Sequence, residues 1–145
     1  MSINTRTKVI LDAWFGRLVV FGLNIAARIL GKFMNIDHSL DKIPEKIVVC
    51  KFLGMGSIIQ ATPLLQSLRK SFPNAKIYFV TSGGNTKLLQ LVTTVNEIWS
   101  VDDSGVSTML SSTWALLRKL WKAKPDLYID LETYSYYSTA VATMS

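Results

Sequence analysis

The chain has one cysteine, Cys50, and one histidine, His38, in 145 residues. A single thiol excludes an intrachain disulfide framework and a cysteine-rich zinc site. One imidazole likewise excludes a histidine-based metal cluster, and His38 reads as a surface residue. Charge is scarce too, at 18% of residues, against roughly 25% for an average soluble domain. No Gly-x-x-x-x-Gly-Lys-Ser/Thr run exists, which removes a P-loop. Gly54-Met55-Gly56 opens like a dinucleotide fingerprint, but its sixth position is Ile59, and no carboxylate closes the following strand to hold a ribose. A Ser-His-Asp triad would have to recruit His38 from a polar linker. What the chain does have is apolar material: 49% of residues and a mean hydropathy of +0.27. That is enough to bury a sizeable core, and it excludes intrinsic disorder.

The net charge of +6 is unevenly spread. Residues 1–36 carry Arg6, Lys8, Arg17, Arg28 and Lys32 against Asp12 alone, a balance of +4, which leaves +2 for the rest. A nucleic-acid-binding face would need its cations clustered on the folded part, so no nucleic-acid partner is expected. The excess lies instead on a greasy segment, residues 9–34. Its longest charge-free stretch, residues 18–27, is ten long, where a spanning helix needs about 20. At about 100° per residue, Arg6, Arg17, Asn24, Arg28 and Lys32 fall on one stripe, while Trp14, Phe15, Leu18, Val19, Leu23, Ala26 and Leu30 cover much of the remainder. Such a helix can lie in the headgroup plane of an anionic bilayer. It can equally pack on the rest of the protein with its cations in water. Residues 37–45, polar and containing Pro44, read as a linker.

From residue 46 onward the punctuation is regular. Apolar, β-branched strands are expected at 46–52, 76–81, 97–101 and 127–131. They alternate with a helix after Pro63 that carries Leu64, Leu65, Leu68 and Phe72 on one face, a short helix at 86–91, and a long one at 106–123. Thr62 is a plausible cap with Pro63 in the first turn. The long helix is expected to bury Leu110, Trp114, Leu117 and Trp121 and to expose Arg118, Lys119, Lys122 and Lys124. Continuous apolar strands between helices imply a parallel sheet covered on both faces. The expected class is therefore α/β, a Rossmann-like three-layer domain over residues 46–145. A last helix starts after Thr133 and the chain stops inside it, which reads as a truncated domain.

In such a sheet, ligands bind beyond the carboxyl ends of the strands. That gathers residues 53–57, 82–85, 102–105 and 132–135 on one rim. Glycines at 54 and 56 let backbone approach a ligand, and the amides opening the next helix are available to an anion. Ser57 fits a helix cap as well as a functional hydroxyl. Asp130 and Glu132 alternate at a strand end; catalysis, or one carboxylate in a backbone network with the other solvated, both fit.

The stretch KIVVCKFLGMGSIIQATPLLQSLRKSFPNAKIYFVTSGGNTKLLQLV, followed by VNEIW and KPDLYIDLE, resembles the N-terminal domain of glycosyltransferase family 9. These are the heptosyltransferases and related enzymes of lipopolysaccharide and other surface-glycan assembly. The specific elements are the strand–Gly-x-Gly–helix opening with Thr62-Pro63, the Phe72-Pro73-Asn74-Ala75 helix exit, and Asp126-Leu127-x-Ile129-Asp130-Leu131. The resemblance implies the acceptor half of a two-domain GT-B enzyme, with the nucleotide-sugar donor held by a second domain. It also implies inverting transfer to a lipid-linked glycan with neither cofactor nor metal, in which a carboxylate deprotonates the acceptor hydroxyl. Heptosyltransferases place an aspartate directly after the glycine of the first loop. The matching residue here is Ser57, which cannot serve as that base, so Glu132 and Asp130 become the candidate carboxylates. Gly54, Met55, Gly56, Ser57, Thr62, Ser82 and Gly83 become candidate substrate contacts. An isolated acceptor half is expected to be inactive, and a cytoplasmic site on the inner face of the plasma membrane, reached through residues 9–34, follows from a lipid-linked acceptor. The competing expectation is a non-catalytic, membrane-associated α/β module that binds a nucleotide or a partner.

Overall fold

A computed structural model describes residues 20–22, 25, 43–133 and 135–145. Apart from residues 20–22 and 25, which are helical, the amphipathic helix expected within residues 1–36 lies outside the described residues, as does most of the linker 37–45. Among the described residues, no helix is long and apolar enough to cross a membrane.

The elements run β1 (Lys46–Cys50), α1 (Met55–Gln60), α2 (Thr62–Ser71), β2 (Lys76–Ser82), a 3-10 turn (Gly83–Asn85), α3 (Thr86–Leu89), β3 (Glu97–Val101), α4 (Val106–Ala123), β4 (Leu127–Asp130) and α5 (Tyr136–Met144). The strands form one sheet in the order β3-β2-β1-β4. Every neighbouring pair is parallel, with Ile47 opposite both Ile77 and Leu127. The architecture is the expected Rossmann-like three-layer α/β domain.

Alternation along the strands explains why their apolar runs are unbroken. Ile47, Val49, Ile77 and Phe79 point to one face, where Ile58, Leu65, Leu68 and Leu89 of α1, α2 and α3 cover them. Val48, Cys50, Tyr78, Val80, Trp99 and Val101 point to the other, beneath Leu116, Leu117 and Leu120 of α4 and Val141 of α5. Ile47, Val49, Phe79 and Val80 are fully buried, each stabilising the fold by about 1.5–3 kcal/mol. A strand with both faces covered has no use for the polar half of an alternating pattern.

Two local expectations are corrected. Thr62 does not cap α2, because α1 runs almost directly into it. The Ala61 amide donates to the Ser57 carbonyl at 3.0 Å and the Ala61 carbonyl accepts from Leu65 at 3.1 Å. Ala61 holds the cap position of α2 without a side-chain bond. The second correction concerns α4. Leu117 is buried as expected, but Leu110, Trp114 and Trp121 are 63%, 57% and 44% exposed, and Leu116 and Leu120 take the core positions. Apolar residues form one broad arc on α4, so periodicity does not fix its centre, and contact with the sheet places Leu116, Leu117 and Leu120 inward.

The amino end of the sheet is closed by backbone capture. Asp126 Oδ2 accepts the amides of Glu45 and Lys46 at 3.0 and 2.9 Å, and Lys46 Nζ donates to the Ala123 carbonyl at 2.8 Å, at the end of α4. Lys124 continues α4 into a left-handed residue, φ 50°, and turns the chain toward β4.

Candidate functional site

The connections after β1 and β4 leave the sheet on opposite faces, α1 on one and α5 on the other. Because β1 and β4 are neighbours, their carboxyl ends form the switch point where an open parallel sheet offers a crevice. The residues around that crevice are held from both sides.

On the β4 side, Glu132 is the anchor. Its Oε1 accepts the amides of Phe52 and Leu53 at 2.8 and 2.6 Å, and its Oε2 accepts Lys51 Nζ at 2.9 Å. Both side chains of this ion pair are nearly covered, 9% exposed for Lys51 and 4% for Glu132. A desolvated carboxylate with one cation and two amides satisfies the condition under which a buried pair is tolerated. On the β2 side, the Phe52 carbonyl accepts Ser82 Oγ at 2.9 Å and Asn85 Nδ2 at 2.8 Å. Thr81 Oγ1 donates to the Lys51 carbonyl at 2.7 Å. The peptide entering the glycine loop is therefore clamped at both of its polar edges.

The chain then turns at Gly54, φ +85°, where a side chain is strained whatever the space. Any Cβ there would also lie 3.2 Å from Ser57 Oγ. Gly54, not Ser57, is the cap residue of α1. The amides of Ser57 and Ile58 already donate to the Gly54 carbonyl at 3.1 and 3.3 Å, so two of the donors expected to face an anion are used. Gly54, Met55, Gly56 and Ser57 are all exposed on the rim, alongside Leu53, 40% exposed. Ser82 sits on the rim with its hydroxyl turned to the loop, and Gly83 is exposed beside it. Thr62 lies seven residues beyond Met55, roughly 10 Å further along the helical path.

Asp130 and Glu132 divide the roles that their alternation left open. Glu132 enters the backbone network, while Asp130 is exposed, its Oδ1 accepting the Glu132 amide at 2.9 Å. An open recess beside them is bounded by Glu132, Ser135, Tyr136 and Thr139. Beneath it, Tyr137 stacks edge-on against Phe52 with ring centroids 5.0 Å apart and shares a 2.6 Å hydrogen bond with Thr113. Burial pushes the Tyr137 hydroxyl up to about 12 and also raises the Tyr128 hydroxyl and the Cys50 thiol well above their ordinary ranges. Cys50 is thus an inert core group. Among the described residues no group of three or more His, Cys, Asp or Glu side chains could hold a metal ion.

Lys51, Thr81 and Asn85 were not singled out by sequence reasoning. The signal was slight: a lysine ending an apolar strand, and an asparagine closing a Ser-Gly-Gly-Asn turn.

These features define the class: a three-layer parallel α/β domain with a braced, glycine-bearing crevice at its topological switch point. The solved glycosyl transferase family 9 protein from Veillonella parvula DSM 2008 is similar in fold, with a TM-score of 0.60 and 25% identity over 70% of this chain. The chain spans 30% of that protein's length. No protein-family model matches the sequence, and no curated protein does.

Proposed function

We propose that this chain is the acceptor-side part of a glycosyltransferase of the heptosyltransferase type, serving transfer of a sugar from a nucleotide-sugar to a lipopolysaccharide or other surface-glycan acceptor. The observation that carries the reading is the fold similarity to a family 9 glycosyl transferase. The braced rim agrees with it. An acceptor hydroxyl needs a fixed surface, and the loop bearing Gly54, Met55, Gly56 and Ser57 is fixed by Glu132 on one side and Asn85 on the other. Exposed Leu53 and Met55 offer apolar contact to the face of a sugar ring. Proton removal falls to Asp130 or Glu132, since Ser57 carries no base. Asp130 is the exposed carboxylate and fits the proton acceptor, whereas Glu132 fits the residue that holds the loop. Transfer is inverting and independent of metal and cofactor in this reading. The acceptor is met at the inner face of the plasma membrane.

Catalysis requires donor and acceptor to be held together. The 145-residue chain is accordingly expected to bind acceptor without transferring sugar. Titrating it with a lipopolysaccharide inner-core oligosaccharide should shift amide resonances of residues 53–57 and 130–135, while a nucleotide-sugar should shift none of them. Shifts from the nucleotide-sugar alone would replace this reading with the non-catalytic nucleotide-binding module.

A further inference from the structure

The exposed face of α4 has a definite chemical character. Val106, Leu110, Trp114, Arg118 and Lys122 follow one another at intervals of four, so each neighbours the next in a row that winds gradually around the helix, with Leu110, Trp114 and Arg118 sharing one face. The first three are 56%, 63% and 57% exposed, and Arg118 and Lys122 are exposed as well. Trp121 lies beside the row, 44% exposed, its ring 5.5 Å from that of Trp114 and nearly perpendicular to it. The Trp121 indole N–H donates to the Met144 carbonyl at 2.6 Å, which fixes the pair of rings. No carboxylate occurs anywhere on α4, while Lys119 and the cap residue Lys124 are further exposed cations.

We infer that this face of α4 is a docking surface for an anionic lipid bilayer, separate from residues 9–34. Paired indoles with an apolar body and a polar edge suit the headgroup boundary, and cations at one end of an apolar row suit anionic lipid. Charge argues against the other occupants. A second copy would set one cationic patch against the same patch of its partner, with no carboxylate on α4 to answer it. Residues 1–36, with a balance of +4, would set like charges side by side. The row starts at Val106, just after the rim loop of β3, the edge of the sheet opposite β4. The inference concerns membrane contact alone and does not depend on the sugar-transfer reading.

The test is sedimentation of the full 145-residue chain with phosphatidylglycerol-containing vesicles, and with vesicles of phosphatidylcholine alone. Binding should require phosphatidylglycerol, and brominated lipid should quench indole emission. Leu110→Ser with Trp114→Ser should weaken binding at least about tenfold, and Arg118→Glu with Lys122→Glu about twentyfold. All four side chains are exposed, so circular dichroism should show folded variants. Arg17→Glu with Arg28→Glu reports on the amino-terminal segment separately. Loss of binding confined to that last variant, or no vesicle binding at all, overturns the inference. So does a stable dimer, seen by gel filtration, that the Leu110/Trp114 variant dissociates.

Discussion

Glu132 accepts three donors with one nearly covered carboxylate, and its replacement by an amide has an unusually clear outcome. In Glu132→Gln the side-chain oxygen can still take the Phe52 and Leu53 amides, but the new NH2 group faces the Lys51 ammonium, donor against donor. Breaking a buried pair from one side leaves the other charge uncompensated. The variant should lose about 3 kcal/mol of stability in urea unfolding. Adding Lys51→Met to it should restore at least about 1 kcal/mol, since the orphaned cation is gone. A double variant no more stable than Glu132→Gln would show that the pair is not coupled. Residues 130 and 132 were legible as polar groups at a strand end. Which of them turns inward was not, because that depends on the amides of Phe52 and Leu53, eighty positions away along the chain.

Among the elements, the exit of α2 shows how one side chain ties three segments together. Arg69 donates through Nη1 to the Pro73 and Ala75 carbonyls at 3.0 and 2.7 Å, and through Nη2 to the Thr94 carbonyl and Asn96 Oδ1 at 3.0 and 2.6 Å. Asn96 Oδ1 also accepts the Ile77 amide at 2.8 Å, so the start of β2 and the turn before β3 share the anchor. A lysine carries charge but not the planar fork. Arg69→Lys should lower stability by about 2 kcal/mol and speed hydrogen exchange at Ala75 and Ile77, with β1 and β4 unchanged. Unaltered exchange at those amides would count against the anchor. From the sequence, Arg69 is merely a cation on the outer face of a helix. The same limit applied to α4, where periodicity allowed Trp114 and Trp121 to be core and the sheet chose Leu116 and Leu120 instead.

At the scale of the molecule, the layer beneath α4 and α5 concentrates groups that resist losing a proton. Burial raises the Cys50 thiol and the Tyr128 and Tyr137 hydroxyls relative to their unfolded values. A group whose folded pKa is raised contributes stability that is fully present below its unfolded pKa and is lost as pH rises through the folded value. The unfolded thiol titrates near 9 and the phenols near 10. The urea midpoint should therefore fall steadily above about pH 9, with the steepest loss where the phenols of the unfolded chain ionise. A midpoint that stays level from about pH 8 to about pH 11 would contradict burial of these three groups.

The amino-acid sequence by itself determined the parallel three-layer class and the positions of its strands, because continuous apolar runs between helical patterns have few other ways to hide both faces. It also determined where the crevice lies, since the glycine turn and the polar strand ends follow from local chemistry. Tertiary structure alone decided that Glu132 is drawn inward while Asp130 stays at the surface. It likewise decided that Lys51 and Asn85 brace the loop and that α4 turns its tryptophans outward. Those choices depend on which groups from distant segments arrive within bonding distance, and local preference holds no record of that.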